Sequence, residues 1–483
     1  MQNVSSSLQD NINMLNELLP LSKSFDLITH RMELCHLDSY FIGMNGYFDN
    51  RVLQTVFRSL QHMDYSSLQT ETDDATHLIQ KLAHNFPVGQ VQHYREFEPL
   101  FKNLLSGTIL IFFEGVNEGF SIDIRQYPVR SIEEPENEKV IRGSKDGFVE
   151  TLLFNANLIR RRIRSTALTF EVFSIGSQSK TDVSLAYMDG EADPELLNIV
   201  KKRLQEINVS ALTMGTKSME ELLVPHKWYH PLPSMFRTER PDVACSYLLE
   251  GYILLMVDTT PSVLVLPSSI FQFSQSPEDY YKSPLMGNYI RLFRFLCSLV
   301  SLLLMPLFLL LASYPELLPS GVSLLPTGDL SPIRLFIYVL FAELALDLFK
   351  YSSSHNASGF SGSFGIIGGL LIGDVAIKLQ WASSEIIFYA AATMLASLSL
   401  NSVEYSDAIR MYRLFLLLST GFFGILGFIC GCGLILLSVF TTPAAFGRSY
   451  FWPLFPFNWK ALRTLLFRFP TRYKQPPQIW HKK

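Results

Sequence analysis

The pattern of apolar and polar positions divides the chain into two halves. Up to Arg291, apolar residues alternate with polar ones or recur at helical spacing, and this mixture predicts an α/β region. From Phe295 onward, long runs of Leu, Phe, Ile, Ala and Gly predict an all-α, polytopic membrane domain. The sequence therefore predicts an α/β cytosolic region followed by helices that cross a membrane.

The first half contains the signals of two α/β subdomains. Residues 26–64 predict a strand, a turn at Asn45-Gly46 and a helix, and "TILIFFEG" and "FSIDIRQYP" on either side of "VNEG" predict a hairpin. The charged, proline-containing stretch "SIEEPENEKV" is typical of a linker. We expect an N-terminal extension over 1–25, a first subdomain over 26–140 and a second over 141–288.

The second subdomain opens with "RGSKDGFVETLLFNANLIRRRIRS", residues 142–165. Its apolar residues Phe148, Leu152, Ile159 and Ile163 are spaced as one face of a helix. A second helix, "DPELLNIVKKRLQEI", lies between the predicted strands "TDVSLAYMDG" and "GYILLMVDTTPSVLVLP". The arginines of the opening segment predict a solvated helix face, with a subunit contact as the alternative: Arg160, Arg161, Arg162 and Arg164.

The second half contains five apolar runs in a membrane domain over 289–447. They predict helices at about 292–314, 333–350, 364–381, 386–403 and 414–440. The first run includes twenty uncharged residues, the length that a helix needs to cross a hydrocarbon core of ~30 Å. Arg291 and Arg294 precede it, as the positive-inside rule expects for its cytosolic end.

The basic, aromatic tail over 448–483 decides the predicted topology. It carries eight cations and no acid, so we expect both termini to be cytosolic and the number of crossings to be even. Four spans result if the helix at 333–350 is interfacial or re-entrant, and six if the last run divides near "GCG". The aromatic residues of the tail predict contact with the inner leaflet, with a snorkelling anchor as the alternative.

Two acidic residues interrupt the second apolar run. Glu343 and Asp347 are four residues apart, so they lie on one face of a helix. Lipid cannot cover such a face, because an ionised side chain in hydrocarbon is costly. We expect this acidic face to lie in the interface, or to face water or a partner subunit.

The third apolar run, "GIIGGLLIGDVAIKLQW", combines glycines with two opposite charges. Gly365, Gly369 and Gly373 recur every four residues and predict a smooth surface for close helix packing. Asp374 and Lys378 form either a local i,i+4 pair or part of an ion path. A ring of identical subunits would place the glycines near an axis and the carboxylates at a pore, with Ile366, Leu370 or Ile372 as a hydrophobic gate.

Composition agrees with a hybrid of soluble and membrane parts. The 483 residues are 48% apolar and 17% charged, too apolar for an ordinary large soluble protein and too charged for a pure membrane protein. A net charge of −4 argues against a nucleic-acid partner, and no signal peptide precedes the first half. No catalytic motif or metal-ligand spacing appears, so the sequence predicts no catalytic residue, no cofactor, no metal and no enzyme.

Several segments, in order along the chain, resemble one family, the A subunits of the GerA-type spore germination receptors. They are "RGSKDGFVETLLFNANLIRRRIR", "RPDVACSYLLEGYILLMVDTTPSVLVLP", "SPEDYY", "YIRLFRF" and "IIGGLLIGDVAI". The "GDVAI" version and Trp381 are most similar to the stage V sporulation protein AF branch. The stretch "LFKYSSSHNASGFSGSFG" departs from the family pattern. The resemblance marks the following motif residues: Arg142, Gly143, Asp146, Gly147, Phe148, Arg240, Pro241, Asp242, Asp279 and Tyr280.

The resemblance implies a multi-pass protein of the spore inner membrane, with both termini on the spore-core side. It implies a homo-oligomeric ring in the lipid bilayer, with other germination proteins of that membrane as partners, a small membrane subunit among them. The function predicted is a channel for monovalent cations that acts in germination, tuned by Asp374, Glu343 and Asp347. The alternative is a non-conducting scaffold or signalling subunit, and a monomeric transporter is a third, less favoured class because paired interrupted helices are lacking.

Overall fold

The computed structural model describes residues 3–61, 90–126, 142–224, 229–317, 331–355, 383–442 and 449–467, together with residues 88, 138, 140 and 446. The chain divides into two compact units. Unit 1 holds the described residues of Met1–Pro225 and Met235–Ser268, and unit 2 holds those of His226–Ser234 and Ser269–Pro476. The sequence places the corresponding boundary at residue 289.

Unit 1 contains two five-stranded antiparallel sheets. The first has the order β1-β2-β4-β5-β3 and the second the order β6-β7-β9-β10-β8. The strands are β1 (Leu27–Leu34), β2 (Leu37–Met44), β3 (Val91–Tyr94), β4 (Ile109–Phe113), β5 (Gly119–Ile122), β6 (Leu168–Ile175), β7 (Thr181–Met188), β8 (Phe236–Thr238), β9 (Ile253–Val257) and β10 (Val263–Leu266).

Seven helices accompany these sheets in the described part of unit 1. They are α1 (Leu8–Leu18), α2 (Asn50–Gln61), α3 (Phe97–Leu104), α4 (Leu152–Arg162), α5 (Pro194–Glu206), α6 (Thr216–Leu223) and α7 (Pro241–Leu249). Two sheets with their helices confirm the predicted α/β class with two subdomains.

The first sheet is covered by helices on both faces. Ile109, Ile111 and Phe113 of β4 join the apolar cluster beneath α2, whereas Leu110 and Phe112 join the cluster beneath α1 and α3. Successive side chains of a strand point to opposite faces, so a strand between two helical layers must be apolar throughout. This is the physical reason for the uninterrupted run "ILIFF".

The first predicted strand is a hairpin in the structure. Cys35 and His36 both have positive φ, 53° and 58°, and they join β1 to β2 through a two-residue turn. Two consecutive residues with positive φ define a type I′ hairpin turn, which usually contains Asn or Gly. The sequence lacks that signal here, so the hairpin was missed.

The second sheet carries α4 and α7 packed against each other and against β7 and β9. α4 begins at Leu152, with Thr151 as its N-cap residue. Phe148 lies before the helix, and its amide donates to the carbonyl oxygen of Glu239 at 2.8 Å. The helix predicted from residue 142 is therefore shorter, because the residues before Leu152 pair with another segment.

One buried arginine joins the two sheets of unit 1. Arg160 of α4 donates to Asp26 at 2.8 Å and to the carbonyl oxygens of Ser165 and Leu168. Its guanidinium also lies 5.3 Å from the ring centroid of Phe170. The predicted solvated face is wrong for Arg160, since that side chain is buried, and right for Arg161 and Arg164, which are exposed.

Unit 2 is helical. Its described α-helices are α8 (Glu278–Tyr281), α9 (Pro284–Ser313), α10 (Pro332–His355), α11 (Ser384–Leu398), α12 (Val403–Thr441) and α13 (Trp459–Leu466). α9 and α12 are long and apolar enough to span a membrane. α9 starts eight residues before the predicted residue 292. α10 and α11 lie close to the predicted helices at 333–350 and 386–403. The predicted helix at 364–381 lies outside the described residues.

α12 is a helical hairpin rather than one straight rod. Gly424 has φ 58° and ψ −134°, which breaks the helix into a segment before it and a segment after it. The hydroxyl of Tyr412 lies 2.8 Å from that of Ser438, so the second segment runs back along the first. A side chain added at Gly427 would overlap the carbonyl oxygen of Ser419. Glycine is required at the break for its backbone conformation and at 427 for its close approach.

Candidate functional site

The acidic face of α10 meets a basic face of α12. Glu343 pairs with Arg413 and Asp347 with Arg410, while Lys350 pairs with Asp407. The two helices are antiparallel here, since residue numbers rise along α10 as they fall along α12. We name these six residues the charge row.

The inner pair of the charge row, Glu343 with Arg413, is buried. Arg413 Nη2 lies 3.0 Å from Glu343 Oε2, and their side chains are 5% and 1% exposed. Arg413 Nη1 donates to the carbonyl oxygen of Ser301 at 2.8 Å and to its hydroxyl at 3.1 Å. Ser301 belongs to α9, so one ion pair connects three helices.

The charge row becomes more exposed toward its other end. Asp347 and Arg410 are 22% and 27% exposed at a separation of 3.5 Å, and Asp407 reaches 45%. An ionised residue at membrane depth costs about 2.5 to 3.5 kcal/mol even on the gentler scales. In this row the most buried carboxylate has a guanidinium partner, and the outer charges are more exposed.

The inner pair retains one unused acceptor. Glu343 Oε1 is buried and has no hydrogen-bond partner among the described residues, and neither has Nε of Arg410. A buried polar atom without a partner carries a desolvation cost. The charge row is therefore tightly paired at its centre without being fully satisfied.

The charge row shows which groups lie opposite the acidic face formed by Glu343 and Asp347. We expected an interfacial helix, water or a partner subunit opposite them, and the structure places cations of the same chain there. A usable signal exists, because Arg410 and Arg413 are three residues apart directly before an uncharged run. That spacing puts both on one helix face.

The predicted pore residues lie outside the described part of the chain. They are Gly365, Gly369, Ile372, Gly373, Asp374 and Lys378. Their place as pore or packing residues remains a sequence-based prediction.

A second buried charge cluster lies at the start of α9. The Asp279 carboxylate accepts from Arg294 at 2.6 Å and from Arg291 at 3.3 Å, and all three side chains are buried. Arg291 Nη1 also donates to the carbonyl oxygen of Leu465 at 2.9 Å, at the end of α13. The two arginines predicted to flank the membrane are thus internal structural groups, and Arg291 holds α13 against α9.

The motif residue Tyr280 contacts the same cluster. Its ring centroid lies 5.4 Å from the Arg291 guanidinium, within the range of a cation–π interaction. The motif "SPEDYY" therefore packs on the motif "YIRLFRF", although the sequence gives no direct sign of this pairing.

The motif residues of unit 1 also meet. Arg240 Nη2 donates to the carbonyl oxygen of Ser144 at 2.8 Å and to Asp242 at 2.8 Å, and Asp146 pairs with Arg162 of α4. Pro241 occupies the first turn of α7, where its missing amide hydrogen costs nothing. Gly147 and Phe148 are buried, whereas Arg142 and Gly143 are exposed. This arrangement is a structural junction between α4 and α7.

Burial perturbs two carboxyl groups of unit 1. Desolvation raises the pKa of Glu138 to about 6, against the hydrogen bonds that it accepts from Thr238 and the Glu239 amide. Desolvation alone raises the pKa of Glu250, which follows α7, to about 7. Neither group lies in a cluster of three or more potential metal ligands, and the described residues contain no such cluster.

Comparison with known proteins places the chain in a family. The model of the Bacillus/Clostridium GerA spore germination protein matches residues 13–478. The chain is 32% identical to Stage V sporulation protein AF of Bacillus subtilis (strain 168), over 93% of this chain and 90% of that protein. It is 29% identical to Spore germination protein KA of the same strain, over 97% and 85% of the two chains.

A solved structure is also similar. It is the N-terminal domain of the A subunit of the Bacillus megaterium spore germinant receptor GerK3, with 25% identity and a TM-score of 0.41, covering 55% of this chain and 96% of that one. The family match over nearly the whole chain confirms the resemblance drawn from the motifs. This chain is a membrane protein that belongs to the GerA spore germination protein family.

Proposed function

We propose that this chain is a subunit of an oligomeric membrane channel for monovalent cations that acts in spore germination. The germination context follows from the family and from relatives named as spore germination proteins. In this proposal the protein lies in the spore inner membrane, spans it several times and keeps both termini on the core side.

The observation that carries the proposal is the presence of charged side chains in the apolar half of the chain, of which the charge row is the part that the structure describes. Six ionised residues between two helices of an apolar bundle are expensive to keep at or near membrane depth, and such residues ordinarily mark an ion path or a fixed polar contact. Glu343 and Arg413 neutralise each other, and Arg413 also donates to Ser301 of α9. The pair therefore holds α9, α10 and α12 together. In this proposal, Asp374 of the glycine-rich segment lines the ion path, and a ring of Asp374 carboxylates from several subunits favours cations.

The test is cation flux through the full-length protein reconstituted in liposomes or planar bilayers. Asp374→Asn should lower cation conductance and selectivity, and Gly369→Leu should block assembly or current because it fills the predicted packing surface. The matched control is Gly433→Ala, at a position where an added Cβ meets no atom within 4 Å. Unchanged conductance and selectivity in Asp374→Asn would remove that residue from the mechanism.

The alternative function is a non-conducting scaffold or signalling subunit. One observation favours it: each ionised residue of the charge row has a partner in the same chain, as expected for a purely structural contact. Absence of current from correctly assembled protein, together with intact binding to other germination proteins, would support this alternative. Measurement of the oligomeric state in detergent distinguishes the oligomeric channel and the scaffold subunit from a monomeric transporter.

A further inference from the structure

Exposed aromatic side chains lie on the first turns of α9 and at the start of the tail. They are Tyr289 and Phe293 on α9 and Phe455, Phe457 and Trp459 at the start of the tail, each between 48% and 67% exposed. We name these five residues the aromatic collar. Large aromatic side chains in contact with water are unfavourable, and several of them at one end of a helical unit mark a surface that something else covers.

Two contacts of the tail fix the position of the collar along the helix bundle. Leu465 accepts from Arg291 near the start of α9, and the ring of Phe451 stacks on Phe440 near the end of α12, with centroids 4.5 Å apart. The uncharged run of α9 begins at Phe295, one turn beyond Arg291. The tail is therefore held at the end of the bundle, where the apolar helix surface meets the polar one.

The collar residues lie close to this level. Tyr289 and Phe293 are two residues on either side of Arg291, so at 1.5 Å per residue they are within about 3 Å of it along the axis. α13 has eight residues and a length of about 12 Å, which limits the distance between Trp459 and Leu465. Phe457 stacks against Trp459 with centroids 6.4 Å apart.

The chemistry of α13 matches a lipid surface. Ala461, Leu462 and Leu465 are buried against the protein, whereas Trp459, Lys460 and Arg463 are exposed. Residues 449–467 contain no acidic side chain. Trp and Tyr favour the headgroup level of a bilayer, and exposed cations there attract anionic phospholipids.

We infer that the aromatic collar and α13 form a docking surface for anionic phospholipid headgroups at the membrane face where α9 begins. The rings of the collar insert between headgroups and upper acyl chains, and Lys460 and Arg463 contact lipid phosphates. Arg291 provides the anchor on the protein side, because it fixes the end of α13. The surface thus holds residues 449–467 at a defined depth at this membrane face.

Quenching of tryptophan fluorescence by brominated phospholipids tests the inference on the full-length reconstituted protein. The contribution of Trp459 is obtained by comparison with Trp459→Phe, and the buried Trp452 of the same segment provides the control through Trp452→Phe. The Trp459 signal should be quenched about twofold more by bromine near the headgroup than by bromine deep in the chain.

The charge component is measured with brominated phosphatidylglycerol and phosphatidylcholine. An anionic lipid should be enriched about fivefold per cation at the surface, and the double change Lys460→Gln with Arg463→Gln should remove that preference. A Trp459 signal quenched by aqueous iodide alone would show a surface open to water. A signal quenched by neither agent would show that a second copy or another protein covers it, and either result overturns the inference.

Discussion

Glu343 and Arg413 form a buried ion pair, at 3.0 Å, between two antiparallel helices that are 70 residues apart in the chain at this contact. The pair also reaches α9 through Ser301. Three apolar helices therefore share one polar contact. This contact fixes their register, because sliding one helix by a turn would separate the charges in a medium that cannot solvate them.

Removal of one partner of this pair should destabilise the protein strongly. Arg413→Gln leaves the Glu343 carboxylate buried without its guanidinium, and loss of one partner of a buried pair costs about 3 to 5 kcal/mol. Thermal unfolding in detergent measures the effect. The double change Glu343→Leu with Arg413→Met should recover most of the loss, and Arg410→Gln, at the partly exposed pair, should cost less than about 1 kcal/mol. Equal losses in the two single variants would contradict the buried role of Arg413.

A methyl group at the hairpin of α12 should be poorly tolerated. Gly427→Ala places a Cβ on the carbonyl oxygen of Ser419, and backbone cannot move aside as a flexible side chain can. We expect a lower melting temperature and a lower yield of folded protein, with a cost of about 1 to 3 kcal/mol. Gly433→Ala is the matched control, and similar behaviour of the two variants would show that the two segments of α12 are not in close contact.

Asp279 should control how firmly α13 is held. Asp279→Asn removes the charge that orients Arg291 and Arg294, so Arg291 should lose its donation to Leu465. Limited trypsin digestion in detergent would then cleave after Lys460 and Arg463 faster than in the unchanged protein. Glu278→Gln, which alters the partly exposed pair with Lys282 and leaves the Asp279 carboxylate in place, is the control. Identical digestion rates for Asp279→Asn and the control would exclude the proposed link.

Glu250 should make stability depend on pH. Its folded pKa of about 7 lies above the ordinary 4.5, so the folded state favours the protonated form. The destabilising contribution is absent below pH 4.5, grows as the pH rises to 7 and then stays constant. Glu250→Gln should raise stability at pH 8 by about 1 to 2 kcal/mol, because partial exposure reduces the penalty, and should change nothing at pH 4.

Thermal unfolding of the full chain at the two pH values checks this dependence. The control is Glu17→Gln, which removes an exposed carboxylate from the last turn of α1. A gain at pH 4 equal to that at pH 8, or the same gain in the control, would contradict the role of burial at Glu250.

Local sequence patterns were sufficient to predict the strands and helices whose apolar residues follow a regular spacing or an uninterrupted run. The run "ILIFF" predicts a strand because both of its faces are covered, and "PELLNIVKKRLQE" predicts α5 because its apolar residues recur at helical spacing and Asp193 caps it. The sequence was insufficient at Cys35-His36, where two residues without the usual turn signal adopt positive φ. It was also insufficient at Arg160, whose burial depends on Asp26, a partner distant in the chain.

The sequence by itself determined the division into an α/β half and an apolar helical half, the family motifs and the presence of costly charges among the apolar runs. Only the tertiary structure decided which groups those charges meet: Glu343 with Arg413, and Asp279 with Arg291 and Arg294. The physical reason is the range of the interactions. Periodicity is set by neighbours three or four residues away, whereas a buried charge is stabilised by whichever segment the fold brings beside it.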